Sequence, residues 1–222
     1  MNRSRNNGLD ILKLIGSFLV VIVHGFEPGV GLREYLYLLG SYGIPVFFVV
    51  NGYLRSEGHI GRDLLKRYFR KYIIFVLVWS FFLSIPYVIL ENEFVFFALL
   101  KGGILGTGLL FHFWFFTAII VIYIIIAILY KVFREDKIKQ IIRKRHFILY
   151  VLGAFSVVFV FNFLLFKHKG VEVREIVPAP FRILTNCGYY MIGMHIGLLG
   201  EDFAKFIKKI FCHFQLHLFF HL

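Results

Sequence analysis

The chain has 222 residues, 59% of them hydrophobic, 19% aromatic and only 17% charged, with a mean hydropathy of +0.77. Soluble domains average about 25% charged residues, and a chain this short has too little interior to hide so much apolar surface, so a water-soluble enzyme and a disordered chain are excluded. The net charge of +12 would suggest nucleic acid in a soluble protein, but Lys and Arg here fill short gaps between apolar runs, so membrane lipids are the expected partner and nucleic acid is not. The two cysteines make no disulfide framework.

A hydrocarbon core of about 30 Å needs about 20 apolar residues per helix. Six runs qualify, which predicts an all-α, polytopic transmembrane helix bundle. The first, Leu9–Phe26, follows Arg3 and Arg5 like a signal peptide, but Gly25-Phe26-Glu27-Pro28 has no small-x-small cleavage site, so it is expected to remain as a membrane helix. It carries Lys13 and His24. Eleven residues of helix bring them within about 20° of one face, separated by about 16 Å of rise. Lys13 near the inner edge has three roles open to it: snorkelling, pairing with Asp10, or chemistry. His24 near the outer edge is either an interfacial histidine or a general base, imidazole being the usual base near neutral pH.

The second span, Tyr35–Leu54, contains Pro45, which is expected to kink it, and Asn51-Gly52, read as an interhelical hydrogen bond beside a close-packing glycine. The segment Arg62–Lys71 reads as an amphipathic helix running into the third span, Tyr72–Leu90. Arg67 and Arg70 share a face there. They either grip a phosphate as paired guanidinium forks or serve topology and anionic headgroups. Phe94–Phe111 is apolar but holds Lys101 and several glycines, so it is read as re-entrant or interfacial. The fourth span, Phe113–Phe133, opens with Trp114 beside His112. Trp114 is either a belt residue or a platform for a sugar ring. The fifth and sixth spans, Phe147–Phe166 and Phe181–Gly200, carry Asn162, Asn186 and His195, the last with no evident partner.

Orientation follows from the basic residues. Eighteen of the 25 Lys and Arg fall at the N-terminus, in the gaps Arg55–Lys71 and Lys131–Arg145, and at Lys205, Lys208 and Lys209; six fall on the other side. The first set is therefore cytoplasmic, and the expected location is the cell membrane, multi-pass. No carboxylate lies within an apolar run except Asp10 at the very start of the first, which disfavours a proton-coupled transporter. Any side chain orienting His24 must then come from an outer loop, such as Glu27 or Glu34.

Taken together, these segments resemble the membrane-bound acyltransferase 3 family of bacterial O-acyltransferases. Lys13 followed by His24 is similar to the family's opening helix. Ile44-Pro45-Val46-Phe47-Phe48-Val49-Val50-Asn51-Gly52-Tyr53 is similar to its second helix, with Asn51 where serine is usual. Arg67-Tyr68-Phe69-Arg70 matches an Arg-x-x-Arg element, Phe113-Trp114-Phe115 with Tyr123 a later helix, and Tyr189-Tyr190-Met191-Ile192-Gly193 an aromatic segment ending in glycine. The resemblance implies transfer of an acyl group, commonly acetyl, from cytoplasmic acyl-CoA to a hydroxyl on a cell-surface or lipid-linked glycan, without a metal. It implies His24 as general base and Lys13 on the acyl-donor path, both catalytic. It makes Arg67 and Arg70 the CoA phosphate ligands, with Asn51 and Trp114 as further substrate-binding residues.

The family usually has about ten spans. Residues 1–200 are therefore expected to form an incomplete acyltransferase domain, and 201–222 a cytoplasmic tail of aberrant character. His213, His217 and His221 in that tail have helical spacing, but no further ligand completes a metal site. A truncated, non-catalytic family member and a small membrane transporter, the latter suggested by Pro45 and the polar groups within the spans, are the alternative readings.

Overall fold

Lipid gives the backbone no hydrogen-bond partner, so each apolar run must close its own bonds as a helix. The computed structural model describes residues 7–26, 31–56, 58–105, 107–144, 146–170, 176–177 and 182–200. Among these the helices are α1 (Asn7–Gly25), α2 (Leu32–Ser41), α3 (Gly43–Arg55), α4 (Arg62–Glu91), α5 (Phe96–Leu105), α6 (Trp114–Phe133), α7 (Glu135–Arg143), α8 (Phe147–Lys169) and α9 (Ile183–Leu199), with a 3-10 turn at Gly108–Phe113. The described residues contain no strand, and the protein is an all-α, polytopic helix bundle. The histidines at 213, 217 and 221, and Glu27, lie outside the described residues.

Five segments are long and apolar enough to cross a membrane: Asn7–Gly25, Leu32–Arg55, Arg62–Glu91, Trp114–Phe133 and Phe147–Lys169. The sixth expected span is α9, with 17 described residues, or about 26 Å of helix. The second span departs from expectation: it is two helices, α2 and α3, meeting at Tyr42. Pro45 explains the position of the break. Its ring clashes with the carbonyl four residues back, at Ser41, so α2 ends there, and Pro45 itself lies in the first turn of α3, where a missing N–H costs nothing. The third span follows expectation, since α4 runs without interruption from the amphipathic stretch through the membrane segment for 30 residues. The glycine-rich stretch after it forms the ten-residue α5 and the 3-10 turn. At about 15 Å, α5 is too short to cross, as expected for a re-entrant or interfacial piece.

The chain divides into two compact units. The first comprises residues 1–58, 139–148 and 189–222. Its helices pack by glycine. A methyl on Gly43 would lie 2.9 Å from the Gly16 carbonyl, and one on Gly40 would lie 2.5 Å from the Val23 nitrogen, so α2 and α3 approach α1 backbone to backbone. The contact of α3 with α9 is closer still. A methyl on Gly52 would fall on the Tyr190 carbonyl oxygen, and one on Gly193 would fall on that of Val49. Gly193 and Gly197 form a Gly-x-x-x-Gly pair, with Gly197 against Ser56.

The second unit comprises residues 59–138 and 149–188. Here Tyr72 joins three elements. Its hydroxyl donates to the Gly103 carbonyl at 3.1 Å and lies 2.6 Å from the Thr117 hydroxyl, linking α4 to α5 and α6. Val76 and Ile120 complete this core, with Leu100 and Phe113 against it. Along α8 most apolar side chains are exposed, from Leu149 to Phe166, as lipid contact requires.

Gly52→Ala is expected to lower the thermal midpoint in detergent markedly, because the added methyl meets backbone that cannot yield; overpacking of this kind costs about 1–3 kcal/mol or more. Gly153→Ala, which meets nothing within 4 Å, should leave the midpoint unchanged or slightly raised. Equal midpoints for the two variants would refute the close α3–α9 approach.

Candidate active site

The expected stripe on the first helix requires continuity, and α1 is unbroken from Asn7 to Gly25. Its face toward α2 and α3 is marked by Gly16, Val20 and Val23. Helical geometry puts Lys13 about 60° and His24 about 80° around the axis from Gly16. Both therefore border the packed seam on the same flank. Lys13 is half-buried and pairs with Asp10 one turn earlier, Nζ to Oδ1 at 3.4 Å. That pair anchors the amine without neutralising it at great depth, since partly exposed pairs are worth at most about 1 kcal/mol. His24 is exposed in the last turn of α1.

Asn51 is half-buried on α3. Its side-chain amide donates to the Phe47 carbonyl at 2.9 Å, within its own helix. The expected interhelical hydrogen bond is thus replaced by an i−4 bond, because Gly52 brings the neighbouring backbone so near that the crossing is made by main chain. His195 on α9 gains the partner that was not evident: it is buried, its Nδ1 lies 2.5 Å from the Ile142 carbonyl oxygen, and its ring packs on Phe147. Ile138 and Ile142 are the buried side chains of α7, one turn apart.

In the second unit, α4 presents two faces. Leu64, Tyr72 and Val76 are buried, and Tyr68 meets the fully buried Tyr123 of α6 edge-on, at 5.2 Å between centroids. This seam fixes the rotation of the helix, and Arg67 and Arg70 point away from it, exposed. With Asp63 and Lys66 they line an open groove of about 430 Å³. Three cations and one carboxylate thus share one face of the helix. Trp114 begins α6, half-buried, with its indole at right angles to the ring of Phe115.

His59, Glu135 and Tyr130 carried no functional reading in the sequence. The imidazole Nδ1 of His59 pairs with the Glu135 carboxylate, and its ring lies nearly parallel to that of Tyr130. Residues 76 positions apart share no periodicity, so no local signal could have joined them. The described residues hold no group of three His, Cys, Asp or Glu suited to a metal.

A family model described as an acyltransferase domain matches residues 6–213. The chain belongs to the acyltransferase 3 family. It is accordingly a membrane acyltransferase, and the resemblance drawn from Lys13, His24, Arg67 and Arg70 named the right family. No curated protein and no solved structure matches the chain.

Asp10→Asn is expected to change stability by less than about 1 kcal/mol, as an exposed pair should, in a detergent unfolding measurement. A loss of several kcal/mol would mean that Asp10 holds more of the helix bundle than its pair with Lys13.

Proposed function

We infer that this acyltransferase moves an acyl group, acetyl in the simplest case, from acyl-CoA on the basic, cytoplasmic side to a hydroxyl of a cell-surface or lipid-linked glycan. The observation that carries this reading is the unbroken α1 with Lys13 and His24 on one flank of its packed seam, in a chain of this family. His24 takes the proton from the acceptor hydroxyl. The oxygen attacks the thioester carbonyl, a C–O bond forms, the C–S bond breaks, and the proton held on His24 passes to the departing CoA thiolate. No oxidant or further reactant is needed. Arg67 and Arg70 hold donor phosphates in their groove, where paired guanidinium forks give charge-assisted bonds. Lys13, kept in place by Asp10, lies on the donor's path toward the thioester. Trp114 offers a face for a sugar ring, and Asn51 borders the substrate space on α3. The plasma membrane is the expected site of action, since a surface acceptor and a cytoplasmic donor meet only there.

Membranes carrying the chain, supplied with labelled acetyl-CoA, should label glycan. His24→Ala should lower that labelling by about 10²- to 10⁴-fold, the usual worth of general acid–base catalysis. Arg67→Ala and Arg70→Ala should each raise the KM for acetyl-CoA by about tenfold or more, as lost charge-assisted bonds do. Equal labelling by wild type and His24→Ala would overturn the assignment of the base.

A further inference from the structure

A second cavity, of about 350 Å³, lies in the second unit between the N-terminus of α4 and the C-terminal turn of α6. Its volume is near the lower end of the range for ligand pockets, enough for a nucleoside-sized group. The floor is apolar, from Ile60, Leu65 and Ala127. On its wall the rings of His59 and Tyr130 lie at 21° to one another with centroids 6.5 Å apart. His59 is exposed whereas Tyr130 is almost fully buried, so the imidazole is the ring that offers an open face to the cavity. The Tyr130 phenolic oxygen is buried and has no hydrogen-bond partner, although the residue is only 7% exposed. A buried hydroxyl in that state is costly, and a polar ligand atom seated against Tyr130 would remove the cost.

The phosphate chemistry is at the rim. Arg62 and Lys131 line the same cavity. Gly61, in extended backbone, precedes α4 without a side-chain cap, so the first N–H groups of a 30-residue helix face this region uncapped by its N-cap residue. The absent side chain of Gly61 also lets the His59 ring fold against the main chain, where a methyl would meet that ring at 2.7 Å. Glu135, paired with His59, brings a carboxylate of the kind that accepts from an exocyclic amine. Arg62 and Lys66 are one turn apart on α4, so the cavity and the Arg67/Arg70 groove adjoin along one helix.

We propose that this cavity seats the adenosine 3′-phosphate end of the acyl-CoA donor, with the purine on the exposed face of His59 beside Tyr130 and the phosphate against Arg62, Lys131 and the first turn of α4. The proposal rests on the acyl-CoA reading above and extends it, since the Arg67/Arg70 groove holds no aromatic ring for a base. The diphosphate then leaves the cavity past Arg62 toward Lys66 and the arginines.

The test compares acetyl-CoA with acetyl-phosphopantetheine, which lacks the adenosine half, using the full chain in lipid nanodiscs. His59→Ala and Tyr130→Ala should each lower the preference for acetyl-CoA over the shorter donor by about tenfold, in keeping with the loss of base–aromatic stacking. Tyr130→Phe, which keeps the ring and removes only the hydroxyl, should lower it by a smaller factor, and it carries the test if Tyr130→Ala fails to fold. An unchanged preference in these variants, with transfer running normally, would overturn the adenosine site and leave the acyltransferase reading standing. If wild type transfers nothing from either donor, the acyl-CoA reading fails, and binding of radiolabelled adenosine 3′,5′-bisphosphate decides the site by itself. Saturable binding that is lost in His59→Ala supports it. No binding, or displacement by inorganic phosphate at equal concentration, overturns it by showing that no base is recognised.

Discussion

Close approach of backbones at glycine governs the first unit. In lipid, two apolar helix faces gain nothing by leaving the solvent, so association depends on van der Waals contact and main-chain proximity. Gly52 and Gly193 meet carbonyls at distances that admit no Cβ, and Gly40 and Gly43 meet the backbone of α1 almost as closely. Bulkier residues at these points would push the helices apart by the width of a side chain. The flank of α1 that bears Lys13 and His24 would then no longer border a seam.

The second unit solves a different problem by different means. Its α5 is too short to cross and leaves backbone carbonyls that must be satisfied inside the protein. Tyr72 does this for Gly103 and engages Thr117 with the same hydroxyl. The aromatic side chains around it, Phe75, Phe113 and Phe116, pack at tilted and edge-on angles, which fill irregular space between short and long helices. The benefit for function is a fixed rotation of α4. With Tyr68 and Tyr72 turned inward, the arginines of the same helix have one direction left to face.

Charge is divided with similar economy. Basic side chains cluster in the gaps between apolar runs, where they serve topology. A few are placed more closely. Arg67 and Arg70 share a groove with Lys66 and Asp63, and Lys131 shares a cavity with Arg62. Residues whose positive charge serves topology are therefore also grouped closely enough to attract an anion.

The sequence by itself determined the membrane class, the helices, the short glycine-rich piece and the stripe of Lys13 and His24, because hydropathy and the helical repeat act locally. Helical spacing alone placed Arg67 and Arg70 together. It also led to the family, through spacings that survive without any tertiary knowledge. What only the tertiary structure decided are relations across distance in the chain. Pro45 displaced its break to Tyr42, because the clash falls on the preceding turn. Asn51 turned to its own helix, His195 found a carbonyl on α7, and His59 met Glu135 and Tyr130. Those contacts depend on which helix faces rotate toward each other, and that rotation is set by summed packing over many residues, which no local pattern encodes.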